Sequence, residues 1–229
     1  MAAGGVAGGK TVAAQRQAWL VFEDEAGQTL RPPKARTWGR RGHTPQVPVS
    51  GKGSGRISIA GLTCYKPGQR PRLIYRTITH RGRTGERRSF AETDYIALLD
   101  AAHQQLGGPI VVVWDNLNTH ISAAMRALIA ARDWLTVIRL PAYAPDLNPT
   151  EAVWSHLKRS IGNLAVRGVD HLLAIIKNRL KRIQYRPDLL DSFLAHTGLT
   201  LEPDSTQPFK ICSHQPAADR WTYQIVRAG

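Results

Sequence analysis

Three acidic residues stand where folding could bring them together. Asp24 follows an apolar run in WLVFEDE, Asp115 follows IVVVW, and Glu151 lies within LPAYAPDLNPTEAVWSHLKR. Carboxylates without His or Cys ligands nearby are hard oxygen donors, the kind that magnesium and manganese accept while keeping waters for substrate oxygens. Two such ions about 3.5 to 4 Å apart can activate an attacking oxygen and stabilise a leaving one during in-line attack at a phosphodiester. Each acid alone has a plainer explanation. An Asp after a strand forms a turn, and a Glu in the first helical turn closes a capping box or favours the positive helix end. Two strand ends and a helix start, taken together, point to a site.

The elements that must position these groups follow from pattern. Trp19 to Phe22 predicts a buried strand that delivers Glu23, Asp24 and Glu25 at its carboxyl end. Arg56 to Cys64 and Arg72 to Ile78 alternate as strands, so a meander starting at Trp19 is expected. Ser89 and Glu92 offer a capping-box start to a helix whose Tyr95, Leu98, Leu99, Ala102 and Leu106 share one face. Ile110 to Trp114 is a continuous apolar run suited to a sheet covered on both sides. A helix over Ser122 to Arg132 and a strand over Thr136 to Leu140 follow. Asn148 then suits an N-cap and Pro149 the first position of a further helix. Five strands with intervening helices imply an α/β fold with a mixed sheet, and parallel strands align their carboxyl ends along one edge. Beyond this, Asp170 to Gln184 reads as an amphipathic helix and Asp188 to His196 as a shorter one.

A chain of 229 residues, 42% of them hydrophobic, can bury a real core. The expected organisation is a leader over 1–18, a catalytic domain over 19–200 and a tail over 201–229. No run of 18 apolar residues and no signal pattern appears, so a cytoplasmic, nucleoid-associated protein without membrane contact is expected. Cys64 and Cys212 are too few for a disulfide framework and read as ordinary thiols. The 31 Lys and Arg against 17 Asp and Glu leave a net charge of +14, which favours a polyanionic partner, nucleic acid above all. Basic residues cluster in RPPKARTWGRR (Arg31 to Arg41), RGRTGERR (Arg81 to Arg88) and KNRLKRIQYR (Lys177 to Arg186), although each cluster alone is equally well explained as solvated surface.

Gly4 to Thr11, GGVAGGKT, matches the phosphate-loop pattern letter for letter. The NTPase reading fails on context. That loop needs a buried strand before it and a full helix after it, and only Met1 to Ala3 precede it here.

The blocks FEDEAG, TWGRRGHTP, VVVWDNLNTH and LPAYAPDLNPTEAVWSHLK, in that order, resemble the catalytic domain of bacterial insertion-sequence transposases of the mariner superfamily. The resemblance runs from about Trp19 to at least Arg186. It implies a ribonuclease-H-like fold and a D, D, E triad in which Asp24, Asp115 and Glu151 are both metal ligands and catalytic residues. It also implies two Mg2+ or Mn2+ ions, DNA cleavage at element ends, strand transfer of the freed 3′ hydroxyl into target DNA, and a homodimer in the active complex. Arg40 and Arg41 match a basic block and are expected on DNA phosphates. Asn116 and His120 match a DNxxxH pattern, where His120 either supports Asp115 or contacts DNA. Tyr143, Pro145 and Asn148 shape the loop before Glu151. Members of the family usually carry a helix-turn-helix region ahead of the first catalytic strand, so a separately encoded helix-turn-helix protein is an expected partner. A cellular nuclease on the same fold, or a DNA-binding remnant without turnover, are the alternatives.

Overall fold

The computed structural model describes residues 13 and 16–201, except 37, 39, 42, 44, 45, 47–54, 142–144 and 200. The expectations for Gly4 to Thr11, Tyr143, Cys212 and the tail beyond Leu201 fall outside these residues.

The chain is built on a five-stranded sheet of order β3-β2-β1-β4-β5, formed by β1 (Trp19–Thr29), β2 (Arg56–Tyr65), β3 (Arg72–His80), β4 (Ile110–Trp114) and β5 (Leu135–Arg139). β1, β2 and β3 form the expected antiparallel meander, whereas β4 pairs with β1 and β5 with β4 in parallel. Strand alternation divides the core. Leu20, Phe22, Val111 and Val113 face one cluster, and Trp19, Val21, Val112 and Trp114 face the other. Every residue of β4 is buried, as its unbroken apolar run requires.

Among the described residues, six α-helices accompany the sheet: α1 (Glu92–Leu106), α2 (Asn118–Ile121), α3 (Ala123–Ala130), α4 (Pro149–Ser160), α5 (Val169–Gln184) and α6 (Pro187–His196). α4, α5 and α6 supply Trp154, Leu157, Ile176 and Leu190 to the first cluster, and α1 and α3 supply Leu99 and Met125 to the second. This mixed sheet with helices on both faces is the ribonuclease-H-like arrangement that the resemblance implies. Among the described residues, no helix is long and apolar enough to cross a membrane.

Two of the departures from the sequence reading have a clear local cause. β1 does not end at Phe22 but runs on to Thr29, because Glu23 to Thr29 keep pairing with β2 through main-chain bonds that need no apolar side chain. Its pairing with β4 stops at Phe22 opposite Val113, so Asp24 still lies just past the parallel pair. α1 is capped not by Ser89 and Glu92 but at Ala91, whose N–H donates to the Asp94 carboxylate at 3.0 Å. Arg87 fixes that carboxylate from outside, with Nη1 2.7 Å from Oδ2. Gly107, at φ 66°, closes α1 in the left-handed conformation that suits a residue without a side chain.

Arg132 ties the turn before β5 to α1 through two bonds to Asp100, Nε to Oδ1 at 2.6 Å and Nη2 to Oδ2 at 2.8 Å. Those bonds hold the Asp100 carboxyl below its usual range, against a smaller opposing effect of burial. A carboxyl depressed on folding contributes stability above its unfolded pKa, and the contribution is lost as pH falls through the folded value. Arg132→Ala should therefore lower Tm at neutral pH, with the difference from wild type shrinking below about pH 4, as read by melting curves across an acid series.

Candidate active site

The local sequence first fixes α4. Asn148, at φ −106° and ψ 105°, is its N-cap, and its Oδ1 accepts from the Thr150 N–H at 3.1 Å. The same side chain turns its Nδ2 to the Glu23 carbonyl at 2.9 Å. Thr150 Oγ1 donates to the Phe22 carbonyl at 2.9 Å and lies 2.8 Å from the hydroxyl of Thr63 on β2. All three side chains are buried, so these bonds form away from water, where losing one is costly. The first turn of α4 is thereby hung from β1 at the two residues before Asp24. Glu151 sits in that turn, and the Asn148 N–H goes to the Pro145 carbonyl, so the Glu151 carboxylate is not spent on a capping box.

Strand alternation sorts the three adjacent acids of β1. Asp24 points to the α4 side, while Glu23 and Glu25 point to the other. Burial first, and then the charge of Glu151, push the Asp24 carboxyl up to about 7, with a smaller contribution from Asp115. Trp154, one turn beyond Glu151, donates its indole N–H to Asp24 Oδ2 at 2.9 Å. Glu23 is almost fully buried. Burial raises its pKa well above the usual value, and the charges of Asp24, Glu25 and Asp115 add to the shift.

Asp115 follows the last residue of β4 and is about half exposed. Its Oδ1 accepts from the Leu117 N–H at 3.1 Å and lies 3.0 Å from His120 Nδ1. Burial pushes Asp115 up, but the His120 and Leu117 bonds outweigh it and leave the carboxyl below its usual range. His120 stacks on Trp114, with centroids 4.3 Å apart and planes 5° from parallel, and meets Tyr95 edge-on at 4.7 Å. Its Nε2 faces Glu23 Oε2 at 3.5 Å.

The expected DNA contact at His120 is therefore corrected. The residue is 3% exposed, with both ring nitrogens turned toward carboxylates, and it backs Asp115 rather than facing solvent. Asn116 donates to the Leu140 carbonyl at 3.0 Å and so ties the ends of β4 and β5 together. Arg40 and Arg41 are exposed, as a phosphate contact requires, and neighbouring Trp38 is wholly so. Sequence reasoning missed Glu23, Thr63 and Thr150 as supports, and Trp154 as the partner of Asp24. Its spacing of three from Glu151 was the available signal.

The donor set suits a hard cation. Asp24, Asp115 and Glu151 offer only oxygen, Asp24 is raised by burial and then by its acidic neighbour Glu151, and Glu23 Oε1 is buried without a hydrogen-bond partner. Among the described residues, no Lys or Arg forms an ion pair with any of the three. Nor do any three His, Cys, Asp or Glu side chains among them already close around one point as a finished metal cage would. One Asp115 oxygen is turned to His120 instead.

The model of a protein family described as DDE superfamily endonuclease matches residues 19–172. No curated protein matches the chain. Among solved structures, the Mos1 transposase paired-end complex with left transposon end is similar at a TM-score of 0.53 and 14% identity, over 78% of this chain and 55% of that one. The Mos1 mariner paired end complex with Mn gives 0.52 and 15%, over 80% and 56%. The Mos1 strand transfer complex gives 0.51 and 15%, over 83% and 57%. At such identities the likeness is one of fold, and the chain spans little more than half the length of these relatives.

Asn148→Asp should separate the two duties of the cap. Asp keeps the acceptor for Thr150 but sets an oxygen against the Glu23 carbonyl. Although Asp is as good an N-cap, a loss of about 1–3 kcal/mol is expected in urea unfolding.

Proposed function

We propose, for a chain that belongs to the DDE superfamily endonuclease family, that residues 19–200 are a transposase catalytic domain that cuts DNA at element ends and joins them to target DNA. The observation that carries this reading is electrostatic. Asp24 on β1 is raised by burial and then by the charge of Glu151 on α4, with Asp115 adding to it from the end of β4. Holding three carboxylates this way costs stability unless something positive answers them.

Asp24, Asp115 and Glu151 would hold Mg2+ or Mn2+, two ions in the full reading. When bound, the pair would supply activation of the attacking oxygen and stabilisation of the leaving one. The work of the chain is to present these carboxylates. Thr150 and Asn148 fix the Glu151 turn on β1, and His120 orients Asp115 from its slot between Trp114 and Tyr95. Arg40 and Arg41 grip phosphates, positioning the duplex without reading its sequence. Attack by water at the element end frees a 3′ hydroxyl. That hydroxyl attacks a target phosphodiester, forming one P–O bond as the target's own 3′ oxygen leaves and takes up a proton. The partners in this reading are DNA, a second copy of the chain and a helix-turn-helix segment encoded separately. Action on DNA places the protein with the nucleoid.

Two of the similar Mos1 structures support this reading, one a paired end complex with Mn and the other a strand transfer complex. The test is a joining assay with pre-cut duplexes carrying the terminal sequences that flank the gene. Wild type should join them in Mg2+ or Mn2+, and hydrolysis without joining would indicate a nuclease instead. Asp24→Asn, Asp115→Asn and Glu151→Gln should each lower the rate about 10⁴-fold or more while leaving DNA binding intact. Divalent metal should raise Tm, and Asp115→Ala should remove most of that gain. Alanine at Arg40 or Arg41 should weaken DNA binding and reduce its logarithmic salt slope by about 1 each.

A further inference from the structure

Gly61 is the cross-strand partner of Asp24 in the β1–β2 register. A glycine inside a central strand weakens it and gives the sheet no side chain to pack, so its presence calls for a close neighbour. That neighbour is Trp154. A Cβ built on Gly61 would lie 2.6 Å from the indole Cη2 and 2.9 Å from Cζ2, inside any tolerable contact. The six-membered ring therefore rests on bare backbone beside Asp24. With the ring in that notch, Trp154 is 1% exposed and its Nε1 reaches Asp24 Oδ2 at 2.9 Å.

We propose that Trp154 is a positioning residue for Asp24: its indole N–H fixes one carboxylate oxygen and leaves Oδ1 for a divalent cation, and Gly61 is the notch that admits the ring. The chemistry of the donor suits this role. An indole N–H donates and cannot accept, so it neither ligates a cation nor competes for one. A bond to an ionised carboxylate is charge-assisted and stronger than a neutral one, which favours one rotamer of Asp24 over others. Glu151 and Trp154 are three apart on α4, so one helical face carries both the acid and the donor that bonds Asp24. The anchoring of α4 on the Phe22 and Glu23 carbonyls fixes the height of that face above the strand.

This inference rests on the reading of Asp24 as a metal ligand, and the experiment separates the two. Mn2+ binding to the full chain is measured by titration calorimetry, with melting curves in EDTA as the control for folding. Trp154→Phe keeps an aromatic ring in the notch but removes the donor. It should fold in EDTA and bind Mn2+ about 10- to 100-fold more weakly, the usual loss when a group that orients a ligand is removed. Gly61→Ala keeps the donor but lifts the ring, and it should weaken Mn2+ binding to a similar degree. The double variant should be no weaker than Trp154→Phe alone, because both changes break one bond. If Trp154→Phe fails to fold, Gly61→Ala decides the matter by the same readout. Mn2+ affinity within twofold of wild type in a folded single variant would overturn the role of Trp154 while leaving the metal site standing. A wild-type chain that binds no Mn2+ or Mg2+ would overturn the metal reading itself, and this inference with it.

Discussion

Two buried hydrogen bonds from one helix turn to one strand set the geometry of the whole acidic end of this protein. Thr150 and Asn148 reach the Phe22 and Glu23 carbonyls, so the start of α4 cannot slide along β1 without leaving buried polar groups unpaired. Glu151 inherits its place from that bond pair, and so does Trp154. The sheet supplies the other half of the frame, since β1 and β4 run parallel and finish their pairing together at Phe22 and Val113. Asp24 and Asp115 each follow two residues beyond that last pair.

The site is expensive to build. Asp24, Glu23 and Glu25 are all raised, each chiefly by burial, and the acids raise one another further. His120 is the only basic side chain that the described ion pairs bring into this group, and it serves two carboxylates, Asp115 at one ring nitrogen and Glu23 at the other. Its aromatic slot keeps it from turning away. Asp24, Asp115 and Glu151 keep part of their surface exposed, while Asn148, Thr150, His120 and Trp154 around them are buried.

How much of this was legible depends on how local the cause was. β4 declared itself through five apolar residues in a row, and α5 through Leu172, Ile176, Leu180 and Ile183 at helical spacing. The cap at Asn148 and the three acids at strand ends and helix start were likewise visible in short windows. The far half of β1 was not, because beyond Phe22 it is held by backbone pairing with β2, which leaves no mark on side-chain pattern. The choice of Asp94 over Glu92 as the capping acid turned on the pull of Arg87, seven residues earlier. The burial of His120 was beyond a linear reading for a different reason. Its slot is made by Trp114 on β4 and Tyr95 on α1, and the chain brings them together only when α1 packs on the sheet. Trp154 is a further case, since only the fold reveals the polar contact of its nitrogen.

α4 is also tied at its far end. Just past its last residue, Asn163 adopts φ 57°, which Asn tolerates better than most residues, and binds the segment leading to the Arg40 and Arg41 loop. Its N–H meets the Pro33 carbonyl at 2.9 Å, and its side-chain amide pairs with both the carbonyl and the N–H of Ala35, at 2.7 and 3.0 Å. A twelve-residue helix is a stiff rod of about 18 Å. It therefore acts as a ruler, with an acid mounted at one end and the root of a basic arm clipped to the other. The span between the two is written into the number of helical turns, so a turn added to the rod would reset both ends at once.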